Sequence, residues 1–289
     1  MSGTTFNIAC YGVSKQVEIK VLEKDDTSMR LLIRGVDVTY MNALRRLITS
    51  EVPCMAIDEI VMIENSSVLQ DEIIAHRLGL VPLKTDLESY NLPEDCPCKS
   101  EFGCNLCRVT LALDTDAKGG AKTVYSGDMV SENPNIIPVS DKIPILKLAK
   151  EQKIKLEAYA RLGKGKNHAK WQPVSMCTYK YYPKIEIGKK CDVCGKCIDV
   201  CPRKVFVKNG GKLEVRDLVL CTLCQDCAEI CPQKPPAIEI SEEEDAFIFN
   251  MESTSALPPE RIVTEAIKIL DKQLKELESQ IKVKKSEKN

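Results

Sequence analysis

The stretch Cys191–Pro202 reads CDVCGKCIDVCP, and thirty residues on Cys221–Pro232 reads CTLCQDCAEICP. Each copy sets three cysteines at three-residue intervals, a fourth after three intervening residues, and a proline directly behind it. Tight turns at this spacing let three thiolates converge on a cubane while backbone N–H groups point at its sulfurs, and the proline redirects the chain. In paired runs of this type the fourth cysteine ligates the other centre. One [4Fe–4S] cluster is therefore expected on Cys191, Cys194, Cys197 and Cys231, and its twin on Cys201, Cys221, Cys224 and Cys227, one of the two being open to conversion to [3Fe–4S] on oxidation. Zinc also favours Cys-x-x-Cys pairs, but it needs only four ligands per ion and accounts for neither the third cysteine step nor the two Cys-Pro pairs.

Between the copies, KVFVKNGGKLEV reads as a hairpin over Asn209, Gly210 and Gly211, which fits a small two-cluster ferredoxin-like fold. The second cysteine group, CPCKSEFGCNLC, has another character: Cys96 and Cys98 lie one residue apart, and Cys104 and Cys107 form a knuckle. Four thiolates at short range suit one structural, tetrahedral zinc stapling a loop too polar to fold alone, the alternatives being free thiols or a redox-labile pair. Of the fifteen cysteines only Cys10, Cys54 and Cys177 remain, and they are read as small buried hydrophobes.

Cysteine in such number, without disulfide logic, belongs to a reducing compartment. The start MSGTTFNIACYG lacks the charged and greasy segments of a signal peptide, and no apolar run reaches membrane-spanning length, so a cytoplasmic protein with no membrane association is expected. At 289 residues, 44% hydrophobic and 29% charged, the chain has material for two or three globular domains. Its 41 Lys and Arg against 42 Asp and Glu leave a net charge of -1, no footprint for gripping nucleic acid directly.

QVEIKVLEKDD and SMRLLIRGVD alternate as two strands about a turn at Asp25–Ser28. A helix follows in VTYMNALRRLITSE, with Met41, Leu44, Leu47 and Ile48 on one face and Pro53 stopping it. CMAIDEIVMIENSS reads as a strand and LQDEIIAHRLGLVPL as a short helix. RVTLALD is a strand that KGG turns back through KTVYSGDMV; Ser131–Pro144 is a loop; ILKLAKEQKIKLEAYARLG mixes a helical turn with a strand; TYKYYPKIEIG, AIEI and AFIFNMES are further strands.

From about Pro259 the chain is one long helix, on which Val263, Ile267, Leu270, Leu274, Leu277 and Ile281 follow steps of four, three, four, three and four, a heptad seam. Such a seam serves either a partner helix or a helix lying on its own sheet. His76 and His168, the only histidines, read as structural; LGKGKNH lacks phosphate-loop spacing; Asp58, Glu59 and the SEEED run read as solvated carboxylates. No dinucleotide fingerprint, catalytic aspartate set or nucleophile elbow appears, so the chain itself carries no active site.

The segments VTYMNALRRLITSEVPCMAIDEI, DEIIAHRLGLVPL, TVYSGD, LGKGKNHAKWQPV and FIFNMESTSALPPERIVTEAIKIL together resemble the family of D-type subunits of archaeal DNA-dependent RNA polymerase. That family is similar to the third-largest subunit of eukaryotic RNA polymerase II and to the N-terminal domain of the bacterial alpha subunit. The resemblance spans nearly the whole chain and implies an α+β fold: a discontinuous alpha-type dimerisation domain over 1–51, 171–187 and 239–289, an inserted mostly-β domain over 52–170, and an inserted two-cluster ferredoxin-like domain over 188–238. It also implies pairing with the small L-type subunit through the last helix, at Val263, Ile267, Leu270, Leu274 and Leu277. Docking of the large catalytic subunits would involve a helix carrying Asn42, Leu44, Arg45 and Arg46. The expected function is a non-catalytic assembly platform in transcription, its clusters structural or redox-sensing. The alternative, a ferredoxin-like electron-transfer component of an anaerobic oxidoreductase, leaves some 240 residues without a flavin, nicotinamide or pterin motif.

Overall fold

The computed structural model describes residues 4–7, 16–100 and 102–286. In chain order the elements are β1 (Thr4–Asn7), β2 (Gln16–Lys24), β3 (Ser28–Arg34), α1 (Val38–Ser50), β4 (Pro53–Asn65), α2 (Asp71–Gly79), β5 (Val109–Asp116), β6 (Lys122–Tyr125), β7 (Val130–Ser131), β8 (Pro144–Leu148), β9 (Lys153–Lys164), β10 (Val174–Ile187), α3 (Lys196–Val200), β11 (Phe206–Asn209), β12 (Lys212–Val215), α4 (Asp226–Glu229), β13 (Ile238–Ser253) and α5 (Pro259–Ser286). The class is mixed α and β with several antiparallel sheets. The chain divides into two compact units: the first takes in the chain to Lys24, Arg30–Asn42 and Thr178–Asn250, the second Asp25–Met29, Ala43–Cys177 and the chain from Met251. Cys10 lies outside the described residues.

The first unit is built on a five-stranded sheet in the order β1-β2-β3-β13-β10. Ala246, Phe247, Ile248 and Phe249 of β13 are fully buried, and the rings of Tyr179 and Tyr181 pack on Phe247 with centroids 5.9 and 4.8 Å away. AIEI and AFIFNMES, expected as separate strands, form this single 16-residue strand, which runs through the acidic segment between them. A ladder is made by backbone groups, so carboxylates that stay solvated, with Glu243 beside Arg34 at 3.6 Å, do not interrupt it. The hairpin β11–β12 turns over Gly210 and Gly211, both at positive φ, the geometry that only glycine adopts freely.

In the second unit β4 and β9 run antiparallel from Pro53↔Lys164 to Asn65↔Ile154, and the sheet continues in the order β4-β9-β5-β7. Alternate residues of β9 (Ile154, Leu156, Ala158, Ala160 and Leu162) enter a core shared with Ile74 and Leu78 of α2. The expected return of β6 onto β5 is not made: β5 is flanked by β9 and β7, and β6 pairs with β8 instead. Nor does ILKLAKEQK contain a helical turn. β8 and β9 are separated by a tight turn in which Gln152 N–H donates to the Ala149 carbonyl at 3.1 Å and Ala149 N–H to Gln152 Oε1 at 2.7 Å.

The glycines of LGKGKNH owe their place to packing. A side-chain carbon on Gly163 would fall inside the Trp171 ring, whose Nε1–H donates to the Arg161 carbonyl at 3.2 Å, and one on Gly165 would strike the Thr49 carbonyl. His168 caps the short turn that presents Trp171, its Nδ1 accepting from Lys170 N–H at 3.0 Å. Asp58, expected to be solvated, is instead largely enclosed and ion-paired with both Lys170 and Arg161. Overpacking of this kind costs about 1–3 kcal/mol. Gly163→Ala should therefore lower the urea midpoint without changing the slope, read from the fluorescence of the chain's single tryptophan.

Candidate metal centres

The loop Cys96–Cys107 follows a 3-10 turn at Pro93–Asp95 whose Glu94 is ion-paired with Lys164 of β9. Its four Sγ atoms all lie within 4.8 Å of one another, Cys96 to Cys104 at 3.7 Å, Cys98 to Cys107 at 3.8 Å and Cys104 to Cys107 at 3.9 Å. These are far longer than a disulfide. They match the edge of a tetrahedron with metal–sulfur bonds of about 2.3 Å, which is about 3.8 Å. Gly103, at φ 75, is needed here, since a side-chain carbon on it would press to 3.2 Å from the Cys107 sulfur. The Cys98 thiol is drawn down to about 7, first by the backbone N–H of Ser100 and then by the Cys96 side chain, whereas the Cys96 and Cys107 thiols are pushed up, so the proton leaves Cys98 first. The residues fit a metal ion, and the loop's exposed polar side chains offer little else to hold it closed.

The two repeats share one backbone course. Val193 and Leu223, each preceding a second cysteine, have φ 57 and 60, and Gly195 and Gln225, each following it, have φ 88 and 67. A β-branched residue in the left-handed region costs about 1–3 kcal/mol and survives only where the surroundings over-determine it. Successive turns of this hand aim backbone N–H groups into a concavity, the nest that accepts anions and iron–sulfur centres. Sulfur atoms already receive such groups: Leu223 N–H reaches Cys221 at 3.5 Å and Ala237 N–H reaches Cys231 at 3.3 Å.

Cys191, Cys194, Cys197 and Cys231 line one hollow with Gly195, Leu213 and Ile238. The Cys227 thiol is pushed up to about 11 by burial, with further upward pressure from Cys201, Cys221 and Cys224. Each repeat thus places its last cysteine in the neighbourhood of the other three. Among the described residues, only the Cys96–Cys107 group is tight enough to share a single ion. Cys54 is buried beside Thr85 and pushed up to about 11 by desolvation, while Cys177 is only half-buried.

On α1, Asp37 accepts from Tyr40 N–H at 2.8 Å and starts the helix. Asn42 and Arg46 are exposed and Arg45 half-buried, but Leu44, expected at a partner surface, is 3% exposed and packs within the chain, as its place on the Met41–Leu47–Ile48 face dictates. On α5, Ile262 and Ala266 are fully buried, Val263 and Leu270 are half-buried, and Ile267, Leu274, Leu277 and Ile281 are exposed by 42%, 57%, 54% and 48%. One stripe of the helix is buried, and most of the heptad seam lies beside it in solvent. No helix among the described residues is long and apolar enough to cross a membrane.

The family described as the RNA polymerase Rpb3/Rpb11 dimerisation domain matches residues 30–274, and the chain belongs to that family. Among its relatives, the DNA-directed RNA polymerase subunit Rpo3 of Archaeoglobus fulgidus is 42% identical over 260 residues, covering 90% of this chain and 96% of the relative. The subunit Rpo3 of Methanothermobacter thermautotrophicus is 45% identical over 257 residues, 88% of this chain and 95% of the relative. That of Pyrococcus horikoshii is 39% identical over 256 residues, 88% and 93%.

The left-handed residues of the repeats and the Asp58 clamp are not signalled by the sequence pattern. Only the glycine at 195 hints at the former, and its counterpart in the second copy is Gln225. Cys98→Ser and Cys104→Ser should each lower by about one the metal ions that the purified chain retains, measured by elemental analysis; an unchanged content would show that the four thiols hold none.

Proposed function

We propose that the chain is a non-catalytic assembly platform of a DNA-directed RNA polymerase. It pairs with a smaller, L-type subunit through α5 and docks the large catalytic subunits with Asn42, Arg45 and Arg46 of α1, while nucleotidyl transfer and nucleic-acid contact belong to those larger chains. The relatives' names support this reading, and the observation that carries it is the exposed heptad seam of Ile267, Leu274, Leu277 and Ile281 on a helix already anchored by Ile262 and Ala266. A seam of this spacing is buried by another helix through knobs-into-holes packing, and burying one leucine side chain is worth about 1.5–3 kcal/mol. An electron-transfer component of an oxidoreductase finds no support among the relatives.

In this reading 1–51, 171–187 and 239–289 form the dimerisation domain, 52–170 the insert that carries the four-thiol loop, and 188–238 the ferredoxin-like insert. Cys96, Cys98, Cys104 and Cys107 hold one structural zinc. Cys191, Cys194, Cys197 and Cys231 hold one [4Fe–4S] cluster and Cys201, Cys221, Cys224 and Cys227 another. When bound, the clusters supply cross-links for a small domain and a centre able to take up or release an electron. The setting is the cytoplasm.

Co-expression with the small L-type chain should give a stable heterodimer. Leu274→Asp combined with Leu277→Asp should abolish it while the single chain keeps its circular dichroism and its metals; a heterodimer that survives the double substitution would sink the α5 pairing. Anaerobic purification should return about eight iron atoms per chain, falling by about half in Cys194→Ser and in Cys224→Ser alike. Zinc in place of iron would overturn the cluster assignment and leave the pairing untouched.

A further inference from the structure

The second repeat is gripped from behind by a lysine outside both repeats. Lys180, midway along β10, donates from Nζ to the carbonyl oxygen of Val219 at 2.7 Å and to that of Cys221 at 2.6 Å. Lys180 is half-buried and Cys221 is buried, so this charge is poorly screened by solvent. The first repeat is dressed with the opposite sign: Asp192 accepts from Cys194 N–H at 3.1 Å and from Gln233 Nε2 at 3.3 Å. The lysine that approaches that loop, Lys208, meets the Val193 carbonyl only at 3.5 Å and from an exposed position, where water screens it.

Adding an electron to a metal cluster adds negative charge, so a fixed cation beside one ligand favours the reduced form of that cluster over that of its twin. Local charge and exposure are among the factors that set the potentials of such centres. On this basis, and resting on the iron–sulfur reading above, we propose that Lys180 is a positioning residue that raises the reduction potential of the centre held by Cys201, Cys221, Cys224 and Cys227. The two clusters are then inequivalent, and the charge that separates them comes from the sheet rather than from the cysteine repeats. Lys180 touches the Cys221 backbone, so its effect passes through the ligand loop.

The test uses the full chain, purified anaerobically, with iron counted and both clusters titrated under electron paramagnetic resonance against mediators poised with dithionite, one electron per cluster. Lys180→Met should retain the iron of the natural chain, shift one midpoint potential negative and leave the other in place, and Lys180→Arg should restore the first. In a Cys194→Ser background the shifted centre should be the one that remains. Unchanged midpoints, or an equal shift of both, would overturn the inference while leaving the clusters themselves established. Loss of half the iron from Lys180→Met would overturn it in favour of a purely structural latch. A natural chain without two reducible centres would overturn the iron–sulfur reading and this inference with it.

Discussion

Four sulfur atoms are gathered a little under 4 Å apart in the loop Cys96–Cys107, which has almost no apolar interior of its own to hold them there. Phe102 and Leu106, its large apolar residues, face solvent. A cation at the centre could bond all four sulfurs at once and so supply the staple that the loop's side chains do not. Residues 188–238 also have a small interior. There the apolar centre consists of Val205, Phe206, Leu213 and Ile238, and its remaining buried members are cysteines. Ile185 and Ile187 of β10 and Ile240 of β13 pack against this centre from the sheet, so the segment leans on its neighbours for part of its interior.

The long C-terminal helix is held by a different balance. Ile262 and Ala266 near its start are fully buried, whereas from Asp271 to Ile281 every residue is exposed. Intrahelical ion pairs such as Lys275 with Asp271 at 2.6 Å add a few tenths of a kcal/mol each to the exposed turns. The apolar seam they flank gains nothing from solvent. The helix is thus anchored at one end, and from Asp271 to Ile281 its apolar seam lies open to solvent.

How much of this was legible in the sequence follows from the range of the forces involved. Local signals were sufficient for α1, where apolar spacing and Pro53 fix the helix and its inner face, and for the Gly210–Gly211 hairpin, where positive φ is a property of the residues themselves. The partner of β6 was not legible, because β5 and β8 offer it similar alternation and only the prior claim of β9 and β7 on β5 decides. The acidic run of β13 misled because charge reports on a side chain's solvation, not on its backbone's pairing. Leu44 shows the reverse: its apolar spacing already placed it on the inner face, and resemblance to a docking helix drew it outward. At the four-thiol loop, spacing indicated proximity, but the tetrahedral edge lengths exist only in three dimensions. Lys180 could not be found at all from the sequence, since it sits some forty residues before the loop it grips.

The order of these cysteines along the chain also has a meaning in time. A chain growing from its N-terminus presents Cys191, Cys194 and Cys197 first, yet the thiol that keeps company with them is Cys231. The other group, with Cys201 waiting since the first repeat, is complete once Cys227 has emerged. The set begun later closes earlier, and the two close only a few residues apart. In order of synthesis, the hollow lined by Cys191, Cys194, Cys197 and Cys231 gains its last thiol only once nearly all of the second repeat has been made.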